Sequence, residues 1–243
     1  MERNELIFRI NNLLFPRRCP VCDCILPCQN DRNMLICKEC DKRVIRIEEP
    51  RCYLCGKQLE DEEKEFCEDC SRKRHFFDQG VAAFAYSDDI KLSMYRFKYS
   101  GRREYAGFYA AEIRKNLWPR IRTWQAQVLI PVPLHPSKLR KRGYNQAEVL
   151  ARRIGDVLEI PVDTGILVRV RSTKPQKEVS DMVRRKNIEN AFQIRPVVVK
   201  YKNVILVDDI YTSGTTIDEC ARTLKRAGAE NVYFITSCIG KGF

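Results

Sequence analysis

Two adjacent carboxylates, Asp208 and Asp209, end an apolar run from Val204 to Val207, and the hydroxyl-rich stretch Tyr211, Thr212, Ser213, Gly214, Thr215, Thr216 follows them. Carboxylates accept hydrogen bonds from a diol or hold Mg2+. Backbone N–H groups at the entrance of a helix are unpaired and sit in positive potential, so a phosphate is well held there. Thr212, Ser213, Thr215 and Thr216 add hydroxyl donors, and Gly214 lets the backbone close on the anion. A phosphate loop beside a diol-binding acid pair describes a ribose 5-phosphate site. The chain has no Gly-Lys-Ser/Thr and no G-x-G-x-x-G, which excludes a Walker loop and a dinucleotide fingerprint.

The elements that must position these groups can be read around them. A short unbroken apolar run suits a strand buried on both faces of a parallel sheet, and such sheets bind ligands beyond the carboxyl ends of their strands. Ile217, Cys220, Ala221 and Leu224 recur at helical spacing, with Gly228 as a stop. Upstream the pattern predicts a strand from Val81 to Tyr86, helices over Asp88 to Tyr99 and Glu104 to Leu117, a strand from Val128 to Val132 and a helix from Asn145 to Leu158. A last strand is expected from Val232 to Cys238. Strands alternating with helices imply an α/β fold, a mostly parallel sheet flanked by helices. Between the strand at Val128 and the helix at Asn145, a loop carries Lys138, Arg140, Lys141 and Arg142, four cations within five residues. Arginine binds phosphate oxygens bidentately, so this run suits a pyrophosphate, whereas a solvated basic turn would need no partner. His135 either donates to the anion or caps the turn.

A different chemistry fills the N-terminal third. Ten of the twelve cysteines fall between Cys19 and Cys70, and eight form four C-x-x-C knuckles: Cys19/Cys22, Cys37/Cys40, Cys52/Cys55 and Cys67/Cys70. Two knuckles complete a tetrahedral Zn2+ site with no open position, so the metal is structural. Sequential pairing gives two Zn2+ sites resembling tandem zinc ribbons; interleaved pairing is the alternative. Cys24 and Cys28 fall outside the scheme and are read as non-ligands, an alternative partner for Cys22 being the other reading, and Cys220 and Cys238 suit core packing.

Charge separates the two regions. Residues 1–80 carry a balance of −1 and residues 81–243 one of +13, so the C-terminal part is the one that attracts polyanions, whether pyrophosphate, nucleotides or a nucleic-acid backbone. From Met94 to Tyr109 aromatics interleave with cations, a pattern that stacks bases while tracking phosphates. Phe97 and Tyr105 are read as packing, and Lys98, Arg102 and Arg103 as ligand or DNA contacts. A second basic stretch holds Arg169, Arg171, Lys174, Gln176, Lys177, Arg184, Arg185, Lys186 and Asn187. No apolar run approaches the ~20 residues a membrane span needs. The apolar positions Leu6, Ile7, Ile10, Leu13 and Leu14 suit a docking helix rather than a signal peptide, which makes the expected location cytoplasmic.

Val204 to Thr216 resembles the phosphoribosyl pyrophosphate motif of type I phosphoribosyltransferases. With Ile130 to Gln146 (IPVPLHPSKLRKRGYNQ) and the cysteine-rich N-terminus, nearly the whole chain resembles the ComF family of competence-associated, phosphoribosyltransferase-like proteins. The resemblance implies a type I phosphoribosyltransferase-like domain over residues 79–243, preceded by a helix and double zinc ribbon over 1–78. It implies phosphoribosyl pyrophosphate with Mg2+ as ligand, held by Asp208 and Asp209 at the ribose and the 211–216 loop at the 5′-phosphate. Pro131 to Gly143 would be the pyrophosphate loop, and residues 169–187 a loop closing over the site. It also implies handling of single-stranded DNA in natural transformation, with competence proteins such as a helicase as partners. A nucleobase-salvage enzyme and a non-catalytic sensor of the sugar phosphate are the alternatives.

Overall fold

The computed structural model describes residues 14, 16–27, 34–171, 188, 190–195 and 199–240. The expected N-terminal helix, Cys28, and the stretch holding Lys174, Gln176, Lys177, Arg184, Arg185, Lys186 and Asn187 lie outside the described residues.

Four parallel strands form the sheet in the order β1-β6-β5-β2: β1 is Gln79–Ala85, β2 Val128–Pro131, β5 Asn203–Tyr211 and β6 Asn231–Ile239. Their apolar side chains alternate between two cores, as period-two geometry requires. Val81, Leu129, Ile205, Val207 and Ile235 meet Ile90, Met94 and Phe97 of α3 (Asp88–Tyr99), with α4 (Tyr105–Ile121) and α6 (Gln146–Leu158) covering the same face. Ala82, Val128, Val204, Leu206 and Phe234 meet Ile217, Cys220, Ala221 and Leu224 of α7 (Thr215–Arg226). Cys220 and Cys238 are fully buried, as the sequence suggested.

The cysteine-rich segment is joined to both cores. Its first half, with Cys19, Cys40 and helix α1 (Lys38–Arg43), packs on the α3/α4 side. Its second half, with Cys52, Cys55, Cys67, Cys70 and α2 (Glu68–Arg72), packs on the α7 side. Between them the chain adds an antiparallel rung to the exposed edge of β1, with Ile47 N donating to Ala83 O at 3.1 Å and Ala85 N to Ile45 O at 2.9 Å. That pairing covers a sheet edge that would otherwise present unpaired backbone groups. Ion pairs add to the seam: Arg43–Asp89 at 3.0 Å, Arg46–Glu112 at 2.8 Å and Lys225–Asp78 at 2.9 Å.

Three local features differ from the sequence expectations. The strand carrying the acid pair runs to Tyr211 rather than Val207, because its pairing with β6 continues to Tyr211↔Ile239. The expected basic loop contains a seven-residue helix, α5 (Pro136–Arg142), with proline at its start and Gly143 at φ +81° behind its last residue. Proline at a helix entrance and glycine just past its end are the ordinary stop signals. Finally, β3 (Leu167–Arg169) and β4 (Phe192–Ile194) form a separate antiparallel pair beside the sheet.

Candidate functional site

The carboxyl ends of β5 and β2 carry the candidate site. Strand alternation sends Asp208 and Asp209 to opposite faces. Asp208 lines a cavity of ≈ 320 Å3 whose wall continues through Thr212, Ser213, Gly214, Thr215 and Thr216. Thr212 to Gly214 make the turn, and Thr215 and Thr216 open α7, so its free N–H groups face the cavity. Gly214 sits at φ +76° with room for no side chain: a Cβ there would stand 2.4 Å from Tyr211 Oη. Tyr211 is held in place by a parallel stack on Phe234, ring centroids 4.8 Å apart. The Ser213 and Thr215 hydroxyls lie 2.9 Å apart and present their remaining capacity to the same space.

Asp209 is buried and faces the other way. It forms an ion pair with Lys98 of α3 and accepts a hydrogen bond from Gln146 Nε2 at 3.1 Å. Burial by itself would raise the Asp209 carboxyl, but the Lys98 charge and hydrogen bond outweigh it and hold the group below its usual range. Burial and the neighbouring Asp209 charge push Asp208 well above the carboxylate range. Asp209 thus has Lys98 as a direct ion partner, while Asp208 shares the fields of Lys98 and Arg169.

Lys98 also lines a second cavity of ≈ 440 Å3 with Tyr99, Lys138, Lys141 and Arg142. Arg140 is exposed and is absent from that lining. Burial, then the charges of Arg169, Arg142 and Lys98, lower the Lys138 ammonium. Arg142 lies over the Tyr99 ring at 4.9 Å and donates to its hydroxyl at 3.2 Å. His135 takes the capping role: its Nδ1 accepts from Ser137 N at 3.2 Å. Crowded cations at one cavity suit an anion, and the Asp208 carboxylate at the other suits a cation. A phosphate ester that carries Mg2+ answers both demands.

Of the interleaved segment, Phe97 and Tyr105 are core residues, as expected. Arg102 pairs with Asp23 of the cysteine-rich segment at 2.9 Å, and Arg103 stacks over Tyr144 at 4.5 Å. Sequence reasoning missed the Lys98–Asp209 pair and the positioning role of Gln146. A signal existed for Lys98: it follows Ile90 and Met94 at helical spacing on the core face, where a lysine requires a carboxylate.

The eight knuckle cysteines gather into two sets, Cys19/Cys22/Cys37/Cys40 and Cys52/Cys55/Cys67/Cys70, with the four sulfurs of each within 4.8 Å of one another. Pairing is sequential. All-thiolate tetrads of this size fit Zn2+. Cys24 lies 3.2 Å from Cys22 without joining the tetrad. No described helix is long and apolar enough to cross a membrane.

Residues 10–71 match the double zinc ribbon domain family, and residues 110–242 match the phosphoribosyl transferase domain family. The chain is therefore a phosphoribosyltransferase-type α/β domain preceded by a double zinc ribbon. Whole-chain relatives narrow the class. Competence protein ComFC of Streptococcus pneumoniae is 31% identical over 86% of this chain and 89% of its own length. Competence protein F of Haemophilus influenzae is 30% identical over 81% of this chain and 87% of its own. DNA utilization protein YhgH of Escherichia coli O157:H7 is 29% identical over 84% and 89%. The chain belongs to the ComF family.

Proposed function

We propose that this chain binds phosphoribosyl pyrophosphate with Mg2+ across the two cavities and handles single-stranded DNA in a competence pathway. The observation that carries the ligand is the cavity closed by Asp208, Gly214 and the entrance of α7. The Thr212 to Thr216 turn holds the 5′-phosphate, and Asp208 holds the ribose diol or the Mg2+ beside it. Lys98, Lys138, Lys141 and Arg142 neutralise the pyrophosphate. Mg2+ would supply charge neutralisation of the leaving pyrophosphate. Asp209 acts through Lys98, fixing that ammonium at the basic cavity. The two cysteine tetrads hold structural Zn2+, and we place the limit of the zinc module at residue 78.

Calorimetry with phosphoribosyl pyrophosphate and Mg2+ tests the site. Wild type binds, and Asp208→Asn weakens binding by at least tenfold; equal affinity for both removes Asp208 from the reading. A salvage enzyme would in addition turn over with one member of a panel of bases.

The DNA reading rests on an exposed surface next to the basic cavity. Tyr95 and Tyr99 are 58% and 62% exposed and in ring contact at 5.2 Å, with Arg142 over Tyr99. Exposed tyrosines among cations stack bases without sequence preference. Fluorescence anisotropy with a labelled oligonucleotide shows salt-sensitive binding that Tyr95→Ala plus Tyr99→Ala weakens; unaltered binding by that variant excludes this surface.

A further inference from the structure

The second cysteine tetrad touches the phosphate turn through one buried histidine. The His75 side chain is 2% exposed. Its Nε2 stands 3.7 Å from Cys70 Sγ, and its Nδ1 stands 2.8 Å from Asp218 Oδ2. A carboxylate only accepts, so Nδ1–H donates to Asp218. Asp218 lies in the first turn of α7, where its N–H donates to Gly214 O at 2.8 Å, and its other oxygen accepts from Phe76 N at 2.9 Å. Cys70, His75, Asp218 and Gly214 thus form a chain of polar contacts from a metal-binding thiol to the glycine of the phosphate turn.

A second path runs alongside the first. The His75 ring stacks on Phe77 at 4.6 Å, and Phe77 meets Tyr211 edge-on at 6.1 Å. Tyr211 Oη in turn occupies the space where Gly214 has no side chain. Both paths start at His75 and end at Gly214. Among the described residues the first tetrad has no comparable route to Gly214, because Cys19 and Cys40 lie in the core on the opposite face of the sheet. Partners of this kind orient metal ligands and commonly change metal affinity by about 10- to 100-fold when removed.

We propose that His75 is a positioning residue that couples occupancy of the second zinc site to the phosphate turn, so that zinc in the Cys52/Cys55/Cys67/Cys70 tetrad and phosphoribosyl pyrophosphate at the Gly214 turn strengthen each other's binding. This rests on the ligand assignment made above. Coupling of two binding sites is reciprocal: whatever factor zinc adds to ligand affinity, the ligand adds to zinc affinity.

Two near-isosteric variants separate the halves of the relay. His75→Asn keeps a donor at the Nδ1 position facing Asp218 and gives up Cys70. His75→Gln keeps an amide at the Nε2 position facing Cys70 and gives up Asp218. The zinc affinities of the full-length protein are measured by competition with a metallochromic chelator, with and without phosphoribosyl pyrophosphate and Mg2+. In wild type the ligand tightens one of two zinc sites by roughly tenfold and leaves the other unchanged. In both variants, which retain two zinc ions and a wild-type circular dichroism spectrum, that tightening disappears. A merely structural histidine would lower stability without removing the ligand dependence. Retention of the ligand effect in either variant overturns the relay. A wild-type protein that binds the ligand with both zinc affinities unchanged also overturns it and leaves the ligand site standing. A wild-type protein that does not bind phosphoribosyl pyrophosphate overturns the ligand site and the coupling together.

Discussion

Replacing Lys98 by methionine is expected to damage the protein more than the loss of one hydrogen bond suggests. Lys98 is the charge partner of Asp209, whose side chain is only 7% exposed. Methionine fills the space of the lysine stem, so packing is kept and the loss is electrostatic. Breaking a buried pair by removing one member leaves an uncompensated charge and costs about 3–5 kcal/mol. Gln146 still donates to Asp209 and sets the effect toward the lower end of that range. Asp209→Leu should carry a similar cost by stranding Lys98. The double variant, with both charges gone, recovers most of the loss, because an apolar replacement of a buried pair is often close to neutral. The measurement is urea unfolding of all four proteins at neutral pH with unchanged m-values. It yields a coupling of several kcal/mol between the two sites. A Lys98→Met cost under about 1 kcal/mol, the range of exposed pairs, would show that the pair is solvated and refute the argument.

The pH dependence of this difference has a definite shape. Asp209 is lowered in the fold, so its contribution is present above the unfolded carboxylate value of about 3.9 and is lost as pH falls through the folded one. Lys98 is raised, burial being outweighed by Asp209, so its contribution is present below the unfolded value of about 10.4 and is lost as pH rises through the folded one. The gap in stability between wild type and Lys98→Met is therefore a plateau that closes at both ends.

Two further outcomes follow from the same site. Gly214→Ala places a Cβ in left-handed backbone, at about 1–2 kcal/mol, and against a ring that Phe234 holds fast, at about 1–3 kcal/mol more; a thermal melt and calorimetry will show the protein destabilised and ligand affinity reduced, and a variant with wild-type values in both would disprove the close fit. Asp208 is raised by burial and by Asp209, so its contribution to stability is full below about pH 3.9 and is lost as pH rises through the folded value. Asp208→Asn should therefore gain on wild type in unfolding free energy as pH increases through that window, and a gap independent of pH would contradict it.

The parts of this protein that could be read from its sequence are those whose partners are near in the chain. Paired C-x-x-C knuckles bring four thiols to one point through a single turn each, and sequential pairing followed. The strand, turn and helix around Gly214 are also local, and their order appeared as read. The strand's end was misplaced because hydropathy falls at Asp208 while the hydrogen-bond ladder with β6 continues to Tyr211. Polar residues extend a strand wherever a neighbour pairs with them, which no single-strand pattern records. The basic run has the polarity of a loop, although Pro136 and Gly143 bracket a short helix in it.

What could not be read are the contacts made by topology. Lys98 meets Asp209 only because α3 covers the face to which the second acid of the pair points. His75 meets Asp218 only because the second half of the cysteine-rich segment crosses to the α7 face. These two contacts give the adjacent aspartates different work. Asp208, on the α7 face, lines the cavity beside the phosphate turn. Asp209, on the other face, holds a lysine at the basic cavity. An acid pair in sequence thus becomes one ligand-facing group and one positioning group in space, because a strand turns neighbouring residues to opposite sides. Mutating the two should therefore give different results: Asp208→Asn weakens the sugar phosphate with little loss of stability, whereas Asp209→Asn lowers stability first and weakens the ligand through the freed Lys98. Equal effects of the two substitutions on both ligand affinity and unfolding free energy would return the pair to a single shared role.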